Sequence, residues 1–154
     1  VALRLAFPAA AVEVRSALEL GAALGSRPLQ ELQLRMWPEA TDEQVIALTG
    51  TLQPTLLVLS VQFPPGRITD RSVVLLGEVA GRCPGLHTLH LGFHKCRGVR
   101  NAGAGALYQL VRPLRHLVEF LVGFEQTLVG EVFRSRAQLR EHVLGDGTEM
   151  ALFD

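Results

Sequence analysis

An apolar triad with a period of two recurs five times along the chain: Leu3/Leu5/Phe7, Leu32/Leu34/Met36, Leu59/Val61/Phe63, Leu89/Leu91/Phe93 and Phe120/Val122/Phe124. Alternation of this kind marks a half-buried strand, because successive strand side chains point to opposite faces. The first members stand at positions 3, 32, 59, 89 and 120, so the pattern returns every 27 to 31 residues. A further leucine precedes each triad by three positions wherever the chain extends that far, at Leu29, Leu56, Leu86 and Leu117, which gives a frame of L-x-x-L-x-L-x-F type.

Between the triads the apolar spacing changes to three and four. After Thr41-Asp42-Glu43-Gln44, a capping-box pattern, come Val45, Leu48 and Leu52; after Thr69-Asp70 come Val73, Leu76 and Ala80; after Asn101 come Ala104, Leu107 and Val111. Helices also fit Glu13 to Leu24 and Glu131 to Leu144, and Pro28, Pro54, Pro84 and Pro113 each follow a helix, where a residue that cannot continue it belongs. Each unit therefore reads as strand, loop, helix, turn. A helix between two strands returns the chain to the start of the next one, so the strands are predicted to lie parallel with helices over one side.

The period and frame resemble a long leucine-rich repeat, similar to the ribonuclease-inhibitor and cysteine-containing subclasses. The segment Ile68-Thr69-Asp70-x-x-Val73-x-x-Leu76, followed by Cys83-Pro84-x-Leu86-x-x-Leu89-x-Leu91, resembles the repeats of F-box proteins. Asn101-Ala102-Gly103-Ala104-Gly105-Ala106-Leu107 resembles the helix starts of ribonuclease-inhibitor-like repeats. The resemblance implies an α/β solenoid: a right-handed superhelix with its parallel sheet on the concave face and its helices on the convex face. About five β-α units span residues 1–144, and residues 145–154, with Met150 and Leu152, are expected to form a C-terminal cap or sixth strand. It also implies a protein-interaction module: either a recognition arm such as the substrate-selecting part of a ubiquitin ligase, or a constitutive subunit of a larger assembly. The chain does not open on Met and its repeat is already running at Leu3, so an upstream domain is expected.

If the triads face the core, the residues between them face away from it. The candidate binding residues are therefore Arg4 on the first strand, Glu31, Gln33 and Arg35 on the second, Ser60 and Gln62 on the third, Thr88 and His90 on the fourth, and Glu119 with an exposed Leu121 on the fifth. Ala2, Ala6, Val58, Gly92 and Gly123 complete this surface, which suits a protein or peptide better than a phosphate backbone. Arg35, Gln62, His90 and Leu121 stand where the rows converge.

Composition narrows the reading. Apolar residues make up 48% of the chain, too many for a disordered one, and 15 basic residues balance 15 acidic ones, so there is no electrostatic footprint of a nucleic-acid or anionic-membrane binder. The apolar opening is broken by Arg4 and Pro8, which excludes a spanning segment there. Two cysteines cannot staple a small secreted fold, and an intracellular, cytoplasmic setting is expected.

Cys83, His87, His90, His94 and Cys96 crowd together, but their spacing matches no closed zinc pattern, and a strand between the cysteines sets them about 20 Å apart, beyond disulfide reach. No nucleophile elbow, phosphate loop or paired carboxylates are present, so neither catalysis nor a cofactor is expected. The Arg97-x-x-Arg100 and Arg134-x-Arg136-x-x-x-Arg140 groups, offset by Glu131 and Glu141, read as solvated faces.

Overall fold

The computed structural model describes residues 1–7 and 12–129. Strands and helices alternate along them: β1 (Ala2–Ala6), α1 (Val14–Gly25), β2 (Glu31–Arg35), α2 (Asp42–Thr49), β3 (Val58–Phe63), α3 (Asp70–Gly81), β4 (Thr88–Phe93), α4 (Asn101–Val111) and β5 (Glu119–Gly123). The strands form one sheet in the order β1-β2-β3-β4-β5, and every neighbouring pair is parallel. The protein is an α/β fold in which strands adjacent in sequence are adjacent in space, as the alternating pattern predicts.

The register follows the triads. Leu3, Leu32, Leu59, Leu89 and Phe120 lie side by side across all five strands, and Leu5, Leu34, Val61, Leu91 and Val122 form the next row. A shift of one residue in any strand would turn its leucines to the other face, so burial of this face holds the register. Leu32, Leu59, Leu89 and Phe120 are fully buried, and Leu29, Leu56, Leu86 and Leu117 join them in the same core. The third triad positions stack as an aromatic column: Phe63 on Phe93 at 5.3 Å between ring centroids, and Phe93 on Phe124 at 5.8 Å, both nearly parallel. Phe7 meets the buried Trp37 edge to face at 5.1 Å. Met36, Trp37, Phe63, Phe93 and Phe124 lie in the buried core, and Phe7 packs against it.

Two expectations change. The first triad is only half-buried, because β1 is an edge strand with a neighbour on one side alone. Leu121 is half-buried and not exposed, in register with His90 on the neighbouring strand. The expected helix Glu131 to Leu144 and the expected cap or strand at 145–154 lie outside the described residues.

Successive helices touch, α1 with α2, α2 with α3 and α3 with α4. Their starts are tied from one unit to the next by carboxylates. Asp42, the first residue of α2, accepts from the Thr69 N–H at 3.0 Å, the Thr69 hydroxyl at 2.6 Å and the Ser72 hydroxyl at 2.5 Å. Asp70, the first residue of α3, accepts from the Arg100 N–H at 2.7 Å. Gln44 accepts from the Thr41 N–H at 2.8 Å, which is one half of the predicted capping box.

Candidate functional site

Among the described residues no helix packs on the face of the sheet opposite the core, and the strand register arranges that face in three rows. Ala2, Glu31, Val58, Thr88 and Glu119 form the row nearest the strand starts. Arg4, Gln33, Ser60, His90 and Leu121 form the middle row, and Ala6, Arg35, Gln62, Gly92 and Gly123 the third. All ten sequence-predicted binding residues therefore share one surface. Arg4, Arg35, Gln62 and Glu119 are exposed, and the other six are half-buried.

Charges on this face are mostly matched. Glu31 lies 3.8 Å from Arg4 and accepts a hydrogen bond from Gln33 Nε2 at 2.8 Å. His90 Nε2 sits 3.1 Å from Glu119 Oε1, an ion-pair distance, but it is screened from water and off the line needed for a hydrogen bond. The contact is therefore electrostatic when the ring is protonated and weak when it is neutral. Arg35 has no carboxylate within ion-pair distance among the described residues, and it stands beside Gln62 in the third row. The Gln62 amide lies over Gly92, where any larger side chain would displace it, and Gly123 is next to Gly92. The third row thus runs from Arg35, through the Gln62 amide laid over Gly92, to Gly123, where a Cβ would meet nothing nearer than 3.8 Å.

Ser60, His90 and Glu119 stand in sequence on adjacent strands, the residue types of a hydrolytic triad. Among the described residues no hydrogen bond joins Ser60 to His90, and the backbone amides of β3 and β4 are committed to the sheet ladder. No group of three or more His, Cys, Asp or Glu side chains among the described residues could hold a metal ion.

Cys83 and Cys96 are both buried with free thiols. Burial pushes the Cys83 thiol up from its ordinary value and pushes Cys96 up to about 11. Cys83 donates weakly to the Val79 carbonyl at 3.2 Å, as a small hydrophobe at the end of α3 would. Cys96 reaches the Pro64 carbonyl of the neighbouring loop at 3.7 Å. The sequence reading missed the role of Cys96 and of the paired carboxylates in joining successive loops. For the carboxylates the signal was present: Asp42, Asp70 and Asn101 open three consecutive helices at the repeat spacing.

Among the described residues, no helix is long and apolar enough to cross a membrane. No protein-family model, curated protein or solved structure matches the chain.

Proposed function

We propose that this chain is a leucine-rich-repeat-type solenoid and serves as a non-catalytic protein-interaction module, binding a polypeptide partner across the open face of its sheet. The observation that supports this reading is the in-register sheet itself, with one face packed and the other carrying mostly polar side chains in rows. An uncovered parallel sheet face is unusual, because such sheets are ordinarily packed on both sides. Arg35 offers an unpaired guanidinium for a partner carboxylate or carbonyl, Gln62 offers both a donor and an acceptor, and the bare Gly123 leaves room beside them. No cofactor enters this reading, and neither nucleic acid nor a membrane is its partner.

As a recognition arm in the manner of a ubiquitin-ligase adaptor, the module would exchange partners. As a constitutive subunit it would keep one, and the exposed Leu18 and Val14 beside the half-buried first triad favour some lasting cover at that end.

The test is affinity capture from the source cell with wild type and an Arg35→Glu, His90→Glu double variant matched in thermal midpoint. Loss of specific proteins from the variant supports the open face as the interface. Identical recovery by both sinks it. Salt-resistant co-migration of the captured protein on a sizing column would mark the constitutive version.

A further inference from the structure

On the rim of the molecule, where strands end and helices begin, the loops preceding α3 and α4 lie together. Thr69 and Gly98 form a parallel bridge between them, and the Arg100 N–H donates to Asp70. This brings Arg71, which follows Asp70, next to Arg97 and Arg100, with Lys95 on the same loop as the latter two. All four cations are exposed, and among the described residues none has a carboxylate within ion-pair distance. Elsewhere along the rim charges are matched: Arg67 pairs with Glu39 at 3.1 Å and His94 with Glu125 at 3.2 Å. Two carboxylates lie inside the cluster: Asp70, which accepts from the Arg100 N–H, and Asp42, which accepts from Thr69 and Ser72; both are engaged in hydrogen bonds to these loops. In a chain with no net charge, four unmatched cations on two bridged loops form a local excess that the sequence order conceals.

We infer that this rim docks a short acidic segment of a partner polypeptide, a stretch of aspartates, glutamates or phosphorylated residues. The two loops follow β3 and β4, neighbours one strand spacing of about 5 Å apart, so the cluster presents its cations to a short stretch of chain. Glu39, paired with Arg67 on the loop before α3, and Glu125, whose carbonyl accepts from the Lys95 N–H, border the cluster, so a longer polyanion would run into repulsion. That disfavours nucleic acid, whose binders engage on the order of six or more phosphates. Base stacking finds no platform either, since every Phe, Tyr and Trp among the described residues is buried or half-buried. The rim is separate from the open-face rows, and its occupancy does not depend on them.

The experiment is fluorescence anisotropy with a labelled oligoglutamate peptide, an uncharged Gly-Ser peptide of equal length, and a short DNA duplex, over a range of salt. Wild type is expected to bind oligoglutamate in a salt-sensitive way and to ignore the uncharged peptide. Arg71→Glu with Arg97→Glu is expected to raise Kd at least about tenfold. Arg27→Glu, at an exposed arginine after α1, is expected to leave it unchanged. Should the double reversal lower the thermal midpoint, Arg71→Gln with Arg97→Gln serves, with a smaller loss expected. Three results overturn the proposal: no binding of oligoglutamate at about 1 mM, an equal loss in Arg27→Glu, or tighter binding of the duplex than of the peptide through the same arginines. Failure here leaves the open-face reading standing, because Arg35 and His90 are tested separately.

Discussion

Asp42 and Cys96 show how single polar atoms hold this chain together where leucines cannot. The three hydrogen bonds that Asp42 accepts satisfy the first orphan amide ahead of α3 and the buried Ser72, groups that would otherwise be costly to leave unpaired. Cys96 is held as a neutral thiol, with desolvation outweighing the backbone hydrogen bond that favours the thiolate. Its folded value of about 11 lies above the ordinary 9.0, so the folded state keeps this proton after the unfolded chain has lost it. The contribution to stability is therefore whole below about pH 9 and falls as pH rises towards 11. Urea unfolding of wild type and Cys96→Ala from neutral pH upward should show their stability difference narrowing across that window. A difference that stays constant with pH would mean that the thiol is not protected. In the native state at pH 8 both thiols should also resist a disulfide exchange reagent, because it is the thiolate that attacks.

The elements fit by close approach of backbone as much as by side-chain packing. Gly21 of α1 faces the Ala47 carbonyl of α2, and a Cβ there would fall well inside contact distance of that oxygen. Gly25, one turn on, stands over the Thr51 carbonyl in the same way. These two glycines set the spacing of α1 from α2. Gly81, at the end of α3, is exposed, and the nearest atom to a Cβ there is the Leu110 carbonyl at an ordinary 3.5 Å. Gly21→Ala should therefore destabilise by about 1 to 3 kcal/mol, because backbone must shift. Gly81→Ala should be neutral or stabilising by up to about 1 kcal/mol, through the loss of chain entropy in the unfolded state. Thermal or urea unfolding of both variants checks the pair, and equal losses would show that the inter-helix contact is not the cause. The strands and helices were legible because the apolar period switches between two and three-to-four at each boundary. These glycines were not, since a glycine that admits a neighbouring backbone and one that ends a helix look alike in sequence.

Across the whole molecule, the order of the rows on the open face could be read in advance, because a period-two strand with one buried face leaves no choice of register. What those rows do to one another was not legible: the matching of Arg4, Glu31 and Gln33 and the near contact of His90 with Glu119 depend on which strands are neighbours and how their side chains lean. The unmatched rim escaped for the same reason, since Arg71 and Arg97 are far apart in sequence and adjacent only through the Thr69–Gly98 bridge.

The stack also has a gradient along its length. β3 and β4 have a strand on either side and fully buried leucines at 59 and 89, whereas β1 has one neighbour and half-buried Leu3, Leu5 and Phe7. α1, which covers β1, buries only Ala17, Gly21 and Leu24, while α3 buries six residues. Opening of the β1-α1 end therefore exposes less apolar area than opening of the middle, and the stability lost in each local opening scales with that area. Hydrogen exchange followed by mass spectrometry should find peptides covering Ala2–Ala6 exchanging at least about tenfold faster than those covering Val58–Phe63 and Thr88–Phe93. If a partner covers the exposed Leu18 and the half-built first row, its addition should slow exchange at β1 while leaving β3 and β4 as they were. Uniform exchange across all five strands would show instead that the stack opens only as a whole, and that its uncovered end is no weaker than its middle.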